Sequence, residues 1–470
     1  MKQKKYFDYI CILFIAVIAI TLFSYSSTLY SFNPWSDANI FLTIGRGILK
    51  NKVIYRDLFD HKGPVLFFLY AICALISSHS FLGVYLIEII SLTLFLYFTK
   101  KLLEIFTDKN SILFLLALSF IICGSKAFSF GGGSVEEFAL PIMQYCNYLI
   151  IKRIHNKESF QLKDSIVIGI LAAVIFLMKF TLSGFFLGIA VSLVIYQWKT
   201  DRKIVFRCIL AAISAFLAIN LIVLVYFAIN DSINFYFESY YLFNLFSYKS
   251  QDGILTAIYK MIRALGFYLK NNLVFMALSL TGIIYAFLFF RKEKYIKRYT
   301  LILILCWYTV SFIGGVFIDY YILPIGIWLP FCFLCLNKYE TKWVEGFGVV
   351  LIILTLTLSP NIRHIKDKET VRHSFVSDIN QSSFLMYDGY DEGFYLIGNE
   401  IPACRIFTDI NSANEKMLEE RKSCVEKNQI EYLISMNHEI TLDGYELIKE
   451  ETGIYGDQMR DYRLYRRIRK

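Results

Sequence analysis

Proline is scarce, at 7 of 470 residues, histidine occurs only six times, and charged residues make up 19% of the chain. The six histidines are scattered, with no H-x-x-H or similar spacing, so no tightly held, protein-built metal site is expected; a divalent cation is allowed but not predicted. No Gly-rich phosphate loop precedes a helix on the side read below as cytoplasmic, which leaves a nucleotide-driven transporter without support. No internal repeat or low-complexity linker is evident, and no tightly bound cofactor is implied. Cys332 and Cys335 form a C-x-x-C, but inside an apolar run with no His or acid nearby, where packing is the ordinary use of cysteine. Cys404 and Cys424 are the only pair in the polar C-terminal stretch, and their spacing neither requires nor forbids a disulfide. Few prolines beside many Lys, Ile and Tyr fit an AT-rich bacterial genome.

What the chain has in abundance is apolar sequence: 56% hydrophobic and 17% aromatic, with a mean hydropathy of +0.51. Apolar runs of roughly 20 residues recur between short Lys and Arg clusters, a pattern that a soluble core cannot absorb and that defines an all-α polytopic membrane protein. Spans are expected near 7–26, 81–99, 110–125, 138–151, 164–178, 181–197, 208–229, 272–290, 299–317, 321–336 and 344–359, eleven in all. The first of them shows no small-residue cleavage site and reads as a retained anchor. The net charge of +9 sits at span ends, where it fixes orientation, so nucleic acid is not expected as a partner.

With Lys2, Lys4 and Lys5 in the cytoplasm, the cytoplasmic connections carry Lys100, Lys101 and Lys109; Lys152, Arg153, Lys157 and Lys163; Lys199, Arg202, Lys203 and Arg207; Arg291, Lys292, Lys294, Lys297 and Arg298; and Lys338 and Lys342. The positive-inside rule holds at every turn. This count treats Gly63–Ser78, apolar but short, as an interfacial or re-entrant segment. Residues 27–80 then form one extracytoplasmic loop whose two helices lie along the membrane surface. From residue 361 to 470 the chain turns polar and reads as a small extracytoplasmic α/β domain. Strand-like runs fall at Phe384–Tyr387, Arg405–Phe407, Glu431–Ile434 and Arg463–Tyr465, with a helical pattern over Ala413–Lys427. Residues 1–360 form the transmembrane domain.

Candidate site residues concentrate in the outer loops. SDANIFLTIGRGILK places Ile40, Phe41, Ile44 and Ile48 on one helical stripe, with Asp37 in the first turn; Ser36 or Asp37 reads equally as a helix cap or, for Asp37, as a functional acid. RDLFDHKGP crowds Arg56, Asp57, Asp60, His61 and Lys62 before a short apolar segment. A solvated turn explains such a cluster, and so does a patch that neutralises an anionic lipid head group. In SKAFSFGGGSVEEFALP, three glycines allow a tight turn before Glu136 and Glu137. Adjacent acids point different ways on a helix, so at most one aims into a central cavity. Lys179, in FLMKFTLSG between two short apolar segments, reads either as a snorkelling lysine or, preferably, as a ligand for an anionic head group. Asp319, Tyr320 and Tyr321, in DYYILP, read equally as substrate contacts or as a capping acid with an aromatic belt. The aromatic stretch NFYFESYYLFNLFSYKS is a candidate flap.

One span, a long outer loop with an early Asp, a basic-Gly-Pro entry to a short interfacial helix, a second outer loop ending in an acid, and a Lys in a short outer turn: this order resembles the GT-C membrane glycosyltransferases. Within them it is most similar to the bacterial branch related to protein O-mannosyltransferases and the lipid A aminoarabinose transferase. The resemblance covers residues 1–360 in topology and is most specific in SDANIFLTIGRGILKNKVIYRDLFDHKGP and GGGSVEEFALP. It implies that Asp37 is a catalytic base or acceptor-orienting acid. The family usually follows that acid with another, where this chain has Ala38, so a second carboxylate would come from Glu136 or Glu137. It further implies that Lys62 and Lys179 contact the donor phosphate; from the RDLFDHKGP cluster itself, His61 and Arg56 are read as further phosphate contacts and Asp60 as a substrate contact.

The implied reaction transfers one sugar from a polyprenyl-phosphate donor to a hydroxyl of a cell-envelope glycan, lipid or protein on the outer face of a bacterial plasma membrane, by inverting displacement. Two rival classes remain: a lipid-linked glycan transporter using Lys179 and Glu136 along a path, and a noncatalytic scaffold of cell-wall assembly. Acids and bases gathered in outer loops rather than mid-span favour the transferase.

Overall fold

Long apolar runs become helices because backbone amides removed from water must bond within the segment. The computed structural model describes residues 2–107, 112–128, 132–198, 201–247, 254–290, 293–338, 341–368, 370–436, 438–440, 442–455 and 458–468. Lys109, Lys199, Arg291 and Lys292 of the expected basic clusters, Gly131 of the glycine turn and the last three residues of the candidate flap lie outside the described residues. The chain is mostly helical with one small C-terminal sheet. Among the described residues, four helices are long and apolar enough to cross a membrane: Tyr6–Phe23, Leu82–Leu103, Phe180–Gln197 and Arg202–Ile229. Leu255–Asn271 and Leu273–Phe289, bent by 118° at their junction, make a fifth candidate if they count as one span. Pro64–Ile76, Ile112–Cys123 and Asp319–Leu334 are shorter apolar helices.

The chain packs as two units that interleave in sequence. The first comprises Met1–Ser24, Tyr85–Ile222 and Ser250–Arg363. Its helices meet at glycines. An added Cβ at Gly188 would lie 2.9 Å from Leu303 Cα, and one at Gly169 would lie 2.2 Å from the Ala212 carbonyl oxygen. Such contacts let helix backbones approach closely where apolar burial alone gives little specificity. The amphipathic helix Ile254–Asn271 falls where the sequence reading expected loop, because its apolar residues recur at helical spacing among Lys and Arg rather than as one continuous run.

The second unit comprises Tyr25–Val84, Val223–Lys249 and His364–Lys470. Its four-stranded sheet has the order β1-β2-β4-β3, with β1 (Phe384–Asp388), β2 (Tyr432–Met436), β3 (Tyr445–Tyr455) and β4 (Gln458–Arg467). β1 and β2 run parallel, while β4 is antiparallel to both β2 and β3. Helix Glu415–Lys427 matches the expected helical pattern, capped by the Asn414 side chain, which accepts from the Met417 amide. Cys404 and Cys424 form a disulfide.

Two expectations are corrected here. Arg405–Phe407 is not a strand of the sheet: the Arg405 carbonyl accepts from the Phe59 amide, and its guanidinium donates to the Tyr55 carbonyl, so this segment bonds to the first loop instead. Helix Ser36–Leu49 does not present a polar side to water. Ile40, Phe41 and Ile44 are buried as expected, but so are Asn39, Thr43 and Arg46. Thr43 donates to Asp391, and Arg46 donates to the Tyr395 carbonyl and to Asn399. On another side, Gly45 lies against the Tyr70 and Ala71 backbone of helix Pro64–Ile76. That short helix keeps Ile72, Leu75 and Ile76 exposed, the apolar face that a membrane-interface segment presents.

Candidate functional site

In the second unit, the turn RDLFDHKGP is held as a rigid hook by buried neighbours. Tyr55, fully buried and at φ 68°, donates its hydroxyl to the Lys62 carbonyl at 2.6 Å. The Asp60 carboxylate accepts the Lys62 amide at 2.7 Å, and Asn244 donates to the His61 carbonyl at 2.7 Å. Asn244 belongs to the π-helical segment Phe237–Ser247, the described part of the expected flap, whose Phe243 ring packs on His61 and Phe59. Phe59, Phe243, Ile406 and Met417 form a small core beneath the hook.

This packing aims Lys62 at Asp37: Nζ stands 4.0 Å from Oδ2, 3.2 Å from His61 Nε2, and over the Phe41 ring. The Asp37 side chain is 30% exposed, while those of Lys62, His61 and Asp60 are 10–12% exposed. The cap position of helix Ser36–Leu49 is Trp35, which supplies no side-chain cap bond; Asp37 lies in the first turn, where the helix dipole favours a negative charge. Burial pushes the Asp60 carboxyl up to about 6, with Asp37 adding to the rise while Lys62 opposes it. Arg56, expected at a phosphate, is paired bidentately with Asp57 at 3.0 Å and donates to the Asn230 carbonyl. The hook thus brings Asp37, Asp60, His61 and Lys62 together, whereas Arg56 fixes the local loop.

The other candidates fall in the first unit. Lys179 Nζ pairs with Glu136 Oε1 at 2.5 Å and lies 3.3 Å from the Tyr321 ring centroid, with Tyr320 at 5.3 Å. Four of the expected residues therefore meet in one cluster, a cation on aromatic faces beside a buried acid. Both adjacent glutamates are buried, Glu136 at 1% and Glu137 at 3% exposure, and they take different partners. Glu137 turns back to accept the Gly133 amide at 2.7 Å, and the Ser134 hydroxyl caps its helix by accepting the Glu137 amide. Gly132, at φ 99°, leaves room for two carboxylates: an added Cβ would lie 2.2 Å from Glu88 Oε1 and 3.1 Å from Glu137 Oε2. Asp319 accepts from Asn272 at 3.0 Å.

Glu88 is the residue that the sequence reading missed. It is fully buried and accepts from Ser24 at 2.7 Å. Its signal was available, a lone acid in the apolar run LIEIISL. Among the described residues, no three His, Cys, Asp or Glu side chains converge as a metal site. No protein-family model and no curated protein matches this chain.

Proposed function

We propose that the chain is a polyprenyl-phosphate-sugar-dependent glycosyltransferase of the GT-C type. The observation that carries the reading is the pair Asp37 and Lys62: a partly exposed carboxylate 4.0 Å from an ammonium, on a buried and fully braced turn. Glycosyl transfer from a lipid phosphate asks for such a pair. Asp37 accepts the acceptor hydroxyl proton as the new C–O bond forms at the anomeric carbon. The bond from that carbon to the donor phosphate oxygen breaks, its electron pair leaves with the phosphate, and Lys62 with His61 stabilises the departing anion. Attack opposite the leaving group inverts the anomeric centre without a covalent enzyme intermediate. Within the helical unit, Lys179 and Glu136 form a second cation–carboxylate pair. The proposed setting is a bacterial plasma membrane, with the N-terminus cytoplasmic and residues 361–470 extracytoplasmic, and the acceptor is a cell-envelope glycan, lipid or protein.

Membranes containing the protein, incubated with extracted lipid-linked sugars, test this. The reading expects release of polyprenyl phosphate that Lys62→Gln slows at least tenfold, about 1.4 kcal/mol of barrier; equal release by wild type and variant would reject it. A second reading, a lipid-linked glycan flippase, is favoured by the buried Glu88 and Glu136 of the helical unit and by Lys179 paired with Glu136. It expects glycan translocation that survives Asp37→Asn.

A further inference from the structure

The junction of the bent helix pair carries a second cluster of polar chemistry, independent of the transferase reading and built wholly within the first unit. Asn272 ends one helix and begins the next: its amide bonds to the Tyr268 carbonyl, and its own carbonyl accepts from the Met276 amide. Its buried side chain accepts the Ala127 amide at 2.7 Å and donates to Asp319 at 3.0 Å. One asparagine thus ties the helix break to the short turn Lys126–Phe128, and the two segments it joins bring Lys126 and Lys270 to the rim of one cleft of about 210 Å³. The opposite walls are apolar, with Ile121, Leu273, Phe275, Leu354 and Leu358 among them, and Leu273 and Leu358 are exposed.

The helix leading into this cleft has three faces. Ala264 and Tyr268 are buried; Leu255, Ile258, Ile262 and Leu265 are exposed at helical spacing; and Arg263 and Lys270 border the exposed apolar stripe on one side. An exposed apolar stripe bordered by cations is the pattern of a helix lying in a membrane interface, with its charges among anionic head groups. An uncharged apolar partner would engage neither Lys270 nor Lys126, the latter also acting on the Asp319 carboxylate. A soluble anion would leave the apolar walls without a role.

We propose that this cleft binds an anionic membrane lipid, with the phosphate head group between Lys126 and Lys270 and an acyl chain along Leu273, Leu354 and Leu358. The chemistry recognised is a phosphate monoanion carried on an apolar chain, and the source is the lipid rather than free phosphate.

The test is native mass spectrometry of the full-length protein released from nanodiscs of phosphatidylglycerol or phosphatidylcholine. Wild type is expected to retain phosphatidylglycerol in preference to phosphatidylcholine. Lys126→Gln with Lys270→Gln is expected to weaken retention by roughly thirtyfold, at about fivefold for each cation removed near an anionic head group. Lys126→Arg with Lys270→Arg is expected to keep it. Equal retention of both lipids by wild type overturns the proposal without any variant, as does undiminished retention in the Gln pair. Displacement of the lipid by millimolar inorganic phosphate reassigns the cleft to a soluble anion and also overturns it.

Discussion

Buried carboxylates are treated differently in the two units. In the second, Glu392 is fully buried, yet both its oxygens are engaged: Oε2 by Arg372 at 3.2 Å and by the Tyr462 hydroxyl, Oε1 by Arg460 at 3.1 Å. In the first, Glu136 Oε2 and Glu137 Oε1 are buried with no hydrogen-bond partner among the described residues. A fully bonded charge in a polar domain fixes the position of its segments. A partly bonded one in an apolar helical unit is costly to keep, and such cost is ordinarily retained where function needs the charge.

The sharpest way to break this contrast is to remove one partner from the closed network. Glu392→Gln leaves Arg372 and Arg460 undercompensated and is expected to lower stability by about 3–5 kcal/mol, read from denaturation of the purified protein. The Cys404–Cys424 bridge of the same unit closes a 20-residue separation, so the double Ser variant is expected to lose about 3 kcal/mol. A loss near zero would show that residues 404–424 are held by packing alone.

Asp60 supplies a pH signature. Its carboxyl is raised in the folded state, so between roughly pH 4 and 6 the folded protein holds a proton that the unfolded chain has released, and stability falls as pH rises through that window. Asp60→Asn is expected to flatten the slope, removing a difference of up to about 3 kcal/mol; thermal unfolding at stepped pH checks it. The smallest effect is expected from Glu137→Gln, which keeps the acceptor for the Gly133 amide and the size of the side chain. Its stability change should stay within about 1 kcal/mol, and a large loss would place Glu137 with Glu392 as a structural group.

Much of the helical architecture was legible because apolar run length is a local property, and helix Glu415–Lys427 because its cap and period are local too. The interleaving of residues 25–84 and 223–249 with 364–470 was not, since it depends on contacts such as Arg405 to Tyr55 and Arg46 to Tyr395 that no local pattern encodes. β3 was missed because YELIKEETGIY is a charged edge strand with few apolar residues on either face. At the site, the nearness of Asp60, His61 and Lys62 followed from adjacency, whereas Tyr55 as the anchor of the Lys62 carbonyl required the fold. Glu88 was visible as a lone acid, but its convergence with Glu137 on Gly132 was not.

The central claim is that Asp37 is a chemical group rather than a feature of its helix. Mass spectrometry of surface glycans and lipid-linked sugars from cells carrying wild type, a deletion, or Asp37→Asn at matched protein level tests it most directly. The account predicts that Asp37→Asn reproduces the deletion, with one sugar decoration lost and the polyprenyl-phosphate sugar accumulating. A wild-type glycan profile in Asp37→Asn beside an altered one in the deletion would contradict it.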